Sequence, residues 1–244
     1  MSTDEPMPLV MHLRELRDRF RNALIAVFVA FLGLFPFANE LYTYVSEPLR
    51  SLLPEGSSMI ATEVTSPFLT PFKLSLVLAV FVAMPVILAQ LWGFIAPGLY
   101  KSEKRIAIPL LTSSVILFYA GVAFAYYVVF PLLFGFFTTV GPGDISVMTD
   151  INRYLDFVLK LFFAFGLAFE VPVAAVILIL TGVVTADQLA NNRSYVIVGC
   201  FIMGMLLTPP DVISQTLLAL PMWLLFEVGL VMGRALSRSP NEDD

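Results

Sequence analysis

Between Ile106 and Phe137 the chain carries no charged side chain. Runs of about 18 or more apolar residues read as membrane-crossing helices. In hydrocarbon every backbone N–H and C=O must be paired inside the protein, which leaves helices and closed barrels. The alternating strands of about 10 residues that mark a barrel are absent from the sequence. The chain is 58% hydrophobic and 14% charged, against roughly 25% charged in a soluble domain. The expectation is an all-α polytopic membrane protein, one domain over residues 1–244 with loose tails near 1–8 and 235–244.

Pro8–Arg21 looks like an amphipathic helix, with Leu9, Leu13, Leu16 and Phe20 on one face. His12, Arg14, Glu15, Arg17, Asp18, Arg19 and Arg21 fill the other. Such a helix lies in the membrane interface and leads into a first span, Asn22–Ala38. Asn39–Pro71 is polar and punctuated by Pro48, Pro54, Gly56, Pro67 and Pro71, so it reads as an external loop with room for short helices. The second span is Phe72–Phe94, with Lys73 free to snorkel at its start. The third, Ile106–Phe137, exceeds a ~30 Å core and must tilt, bend or project beyond it. The fourth is Tyr154–Val184. The fifth, Tyr195–Leu207, offers thirteen residues, about 20 Å of helix. The sixth, Val212–Val231, is interrupted by Gln215, Pro221 and Glu227. Pro85, Pro109, Pro131, Pro172 and Pro221 fall in or near spans and can bend them. Together they predict a curved, concave wall with short fifth and sixth helices.

Six spans put both termini on one side. Arg14, Arg17, Arg19, Arg21, Lys101, Lys104, Arg105, Arg193, Arg234 and Arg238 fall on that side. Arg50, Arg153, Lys73 and Lys160 do not. This bias makes the termini cytoplasmic. It also puts the charged island Phe94–Arg105, FIAPGLYKSEKR, on the cytoplasmic face. The net charge of −5 speaks against nucleic acid as a partner. Cys200 is the lone cysteine and can form no internal disulfide. His12 has no cysteine near it, so no metal site is expected. No phosphate-binding Gly-x-x-x-x-Gly-Lys-Ser/Thr loop and no nucleophile–base arrangement are present, so neither a cofactor nor an enzyme activity is expected. The first apolar run follows an Arg-rich segment without a small-x-small site, so no cleavable leader is expected.

Five stretches together are specific. They are HLRELRDR at His12–Arg19, SPF at Ser66–Phe68, FIAPGLYKSEKR, FAFGLAFEVPV at Phe163–Val173, and MLLTPPDVISQTLLALPM at Met205–Met222. With them the chain, from Leu9 to Arg234, resembles the TatC family, the multispanning receptor subunit of the twin-arginine protein translocase. The resemblance implies residence in the bacterial cytoplasmic membrane, and export of folded proteins driven by the proton-motive force. It implies a site for the paired arginines of a signal peptide at Glu15 and Glu103, completed by Arg17, Phe94, Lys101 and Arg105. The physics fits, because a carboxylate accepts the planar guanidinium fork bidentately and lysine cannot reproduce it. A plainer reading pairs Glu15 with Arg19 at i+4 and Glu103 with nearby lysines.

Glu170 lies mid-run in the fourth span, where a charge costs about 2.5–3.5 kcal/mol. It must be protonated, paired or facing a wet cavity. No base lies at its depth, since Lys160 pairs more naturally with Asp156 at i+4. Either it bonds a neighbouring backbone, or, as the resemblance favours, it meets a polar residue of a partner's helix. Met205, Thr208 and Gln215 straddle the last external hairpin. The resemblance makes that hairpin a contact for the single-span TatA and TatB subunits; ordinary interhelical bonding is the alternative. Pro48 and Phe68 are implied to shape a cap over the wall. Further copies of the chain and membrane lipid complete the expected partners. The short fifth span implies a thinned bilayer beside the last two helices, easing the passage of folded cargo. The main rival is a small-solute secondary transporter, which needs a midplane site and often shows internal repeats. The sequence shows no repeat, and the candidate charges sit at the cytoplasmic surface with Glu170 alone inside.

Overall fold

The computed structural model describes residues 9–50, 59–95, 104–140, 149–208 and 212–237. Nearly all of them are helical. Among the described residues the only strand-like contact is one bridge between Ile60 and Asp150.

Helix α1, Leu9–Leu34, is unbroken, so the amphipathic segment and the first span are one rod. It ends in a 3-10 turn, Phe35–Phe37, with Pro36 in the first turn. Helix α2, Ala38–Arg50, follows, with Glu40 in its first turn and Arg50 in its last, both favourable to the helix dipole. Helix α3, Ser66–Val82, starts six residues before the expected Phe72. Pro67 sits in its first turn, where a missing N–H has no bond to lose. Helix α4, Met84–Ile95, follows, and the pair is bent by 49° ahead of Pro85.

Helix α5, Lys104–Phe124, runs through a π-helical turn, Ala125–Val129, into α6, Phe130–Val140. The wide turn precedes Pro131, whose ring cannot donate to the preceding turn. Residues 104–140 form a rod of about 55 Å. That exceeds a ~30 Å core, in keeping with a run that must tilt, bend or project beyond it. Helices α7, Ile151–Ala168, and α8, Val171–Leu180, break at Phe169–Glu170 ahead of Pro172. Gly182, at φ 70°, ends α8 in a left-handed turn. Helix α9, Ala186–Asn191, opens with a Thr185–Gln188 capping box. Helices α10, Arg193–Leu207, and α11, Val212–Ser237, close the chain. Pro109 and Pro221 lie inside continuous helices, so three of the five prolines sit at bends or breaks and two do not.

Among the described residues four helices are long and apolar enough to cross a bilayer, and the bent α3–α4 pair makes five when counted as one span. Helix α10, at fifteen residues, is about 22 Å long. Six crossings are consistent with this set.

The helices stand in a row rather than a closed bundle. Helix α1 packs on α3 and α4, α3 and α5 on α7, α8 on α11, and α11 on α10. Helix α7 is the centre, with Leu155, Val158, Leu161 and Phe165 wholly buried. Phe81 of α3 meets Phe118 of α5 and Phe163 of α7 edge-on, at 5.6 and 4.9 Å between centroids. Gly121 of α5 lies against the backbone of Phe165, and Gly166 of α7 against the ring of Phe118. Small residues let helices approach closely where hydrophobic burial gives no net drive. Leu24, Ile25, Phe28, Val29 and Leu32 of α1 are exposed, a face suited to lipid.

Gly121→Val should press a side chain into the Phe165 carbonyl. Overpacking of this kind costs about 1–3 kcal/mol. Thermal unfolding in detergent should show a lower Tm, while Gly33→Ala, with open space around it inside a helix, should not lower Tm.

Candidate functional site

The charged rim lies where α1 meets the end of α4. Glu15 and Arg19 share a face of α1 at i and i+4. Arg19 Nε and Nη2 donate to Glu15 Oε1 at 2.9 and 2.5 Å. The plainer sequence reading therefore holds for Glu15 in this state. The pair is not sealed away, with side chains 28% and 26% exposed. The Arg19 guanidinium rests on Gly93, where a Cβ would collide with it. Phe94, half-buried, is next along α4. Arg17 is exposed and pairs with Asp18 at 2.9 Å. Arg105 lies in the first turn of α5, its side chain outside the described set. Lys101 and Glu103 lie outside the described residues. The structure thus links Glu15 to α4 through Arg19, whose guanidinium bonds the carboxylate and rests on Gly93, next to Phe94.

The opposite end is held by polar bonds that sequence reasoning missed. Asp150 caps α7, accepting from the backbone of Asn152 and Arg153 at 3.0 Å each. Its other oxygen accepts from Thr62, at 3.0 Å from the backbone and 2.7 Å from the hydroxyl. The Ile60 amide donates to the Thr149 carbonyl at 3.0 Å and the Ile151 amide to the Ile60 carbonyl at 2.9 Å, completing the bridge. Helix α2 is fastened alongside. The Tyr154 hydroxyl donates to the Val45 carbonyl at 2.9 Å, and the Tyr126 hydroxyl to that of Tyr44 at 3.0 Å. The Tyr44 and Tyr126 rings stack at 5.6 Å. Pro48 falls in the last turn of α2, its side chain outside the described set. Phe68 is 66% exposed and stacks on Phe72 beside Phe35, Pro36 and Pro67.

Glu170 sits in the break between α7 and α8, half-buried, near Ser114 of α5. Its Oε1 is buried with no hydrogen-bond partner. Met205 is exposed, Gln215 half-exposed, and Thr208 buried, its hydroxyl donating to the Gly204 carbonyl at 3.0 Å. Gly204 abuts the backbone of Gln215, so the hairpin gathers these three residues at one end. Glu170 stands apart from them. Pro172 touches Gly229, about 21 Å along α11 from Gln215. An apolar groove of about 520 Å³ runs between the long rod and α11, lined by Phe124, Val129, Leu132, Val212, Leu217 and Pro221.

Two acids differ from expectation. Asp156 pairs with Lys73 of α3, not with Lys160, because α3 packs directly on α7. Glu227, read only as an interruption, is held bidentately by Arg193 at 2.6 and 2.9 Å. Arg234 reaches Asp187 of α9 at 3.1 Å. An acid inside a span calls for a partner, but nothing in the spacing names one 34 residues away.

Bent helices in an open row, a guanidinium–carboxylate rim at one end and a tyrosine-pinned helix at the other define a polytopic helical membrane protein. The family model for the Sec-independent protein translocase protein (TatC) matches residues 11–221. A TatC protein of Azotobacter chroococcum is 64% identical over 231 residues, 95% of this chain and 91% of its own. That of Escherichia coli K12 is 56% identical over 234 residues, covering 96% and 91%. A crystal structure of the twin arginine translocase receptor TatC superposes with a TM-score of 0.83 at 39% identity, over 93% of this chain and all of that one. The chain belongs to the TatC family, a non-enzymatic component of protein translocases. The solute-transporter alternative falls away.

The Thr62 hydroxyl, then the Arg153 and Thr62 backbone amides, hold the Asp150 carboxyl down at about 2. A carboxyl lowered in the fold stabilises fully above its unfolded value of about 4 and loses that contribution as pH falls toward 2. Asp150→Asn should lower Tm at neutral pH. It should also remove part of the drop in Tm that the parent protein shows between about pH 4 and 2.

Proposed function

We propose that this chain is the receptor and assembly core of a twin-arginine translocase. It binds the Arg-Arg signal peptide of folded cargo at the cytoplasmic face of a bacterial inner membrane. Glu15 and Glu103 accept one guanidinium each. Phe94 packs on the peptide, and Arg17, Lys101 and Arg105 orient the acids and set the local field. The observation that carries the reading is Glu15, its second oxygen without a partner among the described residues, joined to α4 through Arg19, which rests on Gly93. The orientation, N-in and C-in, rests on the excess of basic residues on the terminal side. Arg193 and Arg234 support it, since their pairs with Glu227 and Asp187 gather residues 187–193 at the C-terminal end of α11.

The same reading gives Glu170, Met205, Thr208 and Gln215 to the single-span helices of TatA- and TatB-type subunits. The unpartnered Glu170 Oε1 is an acceptor or acid waiting for a polar residue of such a helix. The groove between the rod and α11 offers apolar surface for its remainder. Pro48 and Phe68 shape the external cap, and further copies of the chain assemble beside it.

A fluorescent twin-arginine peptide should bind the protein in nanodiscs. Glu15→Gln and Glu103→Gln should each weaken it roughly ten- to hundredfold, the worth of a hydrogen bond to a charged group. Unchanged binding in both variants would refute the site. Four leucines inserted into α10 should cut transport and leave peptide binding intact, because a longer helix relieves the thinning of the bilayer.

A further inference from the structure

Arg19 differs from the other arginines of its helix. Arg17 is 69% exposed and Arg21 61%, whereas Arg19 is 28% exposed. Two of its donors converge on one oxygen of Glu15. Its guanidinium occupies the space that a side chain at residue 93 would fill, and only glycine leaves that space. Arg19 is therefore seated on two elements at once, a carboxylate of α1 and the backbone of α4. Glu15 Oε2 takes no partner among the described residues.

We propose that Arg19 is a resident occupant of the Glu15 half of the signal site, displaced when a signal arginine arrives. The inference rests on the reading of Glu15 given above. The chemistry of seat and visitor is the same, a guanidinium against a carboxylate. An incoming arginine meets Oε2, which no described residue holds, and then replaces Arg19 on Oε1, so the carboxylate is never left bare. Arg19 is tethered one helical turn away and competes at high effective concentration. Partly exposed i,i+4 pairs are nevertheless weak, so the occupant yields to a peptide that also engages Glu103 and Phe94. The displacement is common to every basic peptide. It raises all dissociation constants by one factor, which keeps weakly held basic segments off the receptor. It also couples binding to the α1–α4 contact, because a displaced Arg19 leaves Gly93.

The test is fluorescence anisotropy with a twin-arginine and a twin-lysine peptide on the full chain in nanodiscs. Arg19→Gln should tighten both by about two- to fivefold, the range expected for loss of one such pair. Gly93→Ala, which evicts the guanidinium without touching either charge, should act in the same direction, and Arg19→Lys should fall between. In a Glu15→Gln background, Arg19→Gln should change nothing. Weaker or unchanged twin-arginine binding in Arg19→Gln would overturn the proposal and make Arg19 a positioning residue. A gain that persists in the Glu15→Gln background would overturn it too. If Glu15→Gln alone leaves binding intact, the site reading fails, a result distinct from either.

Discussion

A helix in a bilayer satisfies its own backbone but gains little by touching a neighbour, since lipid tails are as apolar as leucine. What holds this row together is close packing around α7. Gly121 against Phe165, Gly166 against Phe118 and Gly229 against Pro172 let backbones approach where any side chain would collide. Phe81, Phe118 and Phe163 fill the space between, edge against face. The helices far from this centre, α1 and α10, are correspondingly bare on their outer sides.

Polar bonds fix the two rims that packing leaves undetermined. At one end Asp150 and Thr62 tie the segment before α3 to the start of α7, while Tyr154 and Tyr126 tie α2 to α7 and to the π-helical turn. At the other, Arg193–Glu227 and Arg234–Asp187 tie α9 and α10 to α11, and Arg19 ties α1 to α4. The breaks ahead of Pro85 and Pro172 matter for the same reason. One bends α4 by 49° from the line of α3, and the other sets Glu170 at the start of α8.

Much of this was legible in the sequence. Long uncharged runs announce helices, and the short fifth run is short in the structure as well. The start of α3 was misplaced because prolines were read as loop, although a first turn accepts them. The pairings of Asp150, Asp156 and Glu227 were not legible, because their partners lie 88, 83 and 34 residues away and no periodicity reports such distances. The i+4 rule drew Asp156 to Lys160, but α3 brought Lys73 closer. It succeeded for Glu15 and Arg19, where both residues share one helix. That Arg19 leans on Gly93 depends on how α1 crosses α4, which one-dimensional spacing does not contain.

The central claim is that two acids distant in sequence grip one arginine pair. A photoreactive group placed beside the paired arginines of a bound signal peptide, with adducts mapped by mass spectrometry, tests it most directly. The account predicts labels from one peptide on both the α1 segment around Glu15 and residues 94–105. Labels confined to one of these segments, or found on the α10–α11 hairpin instead, would contradict it.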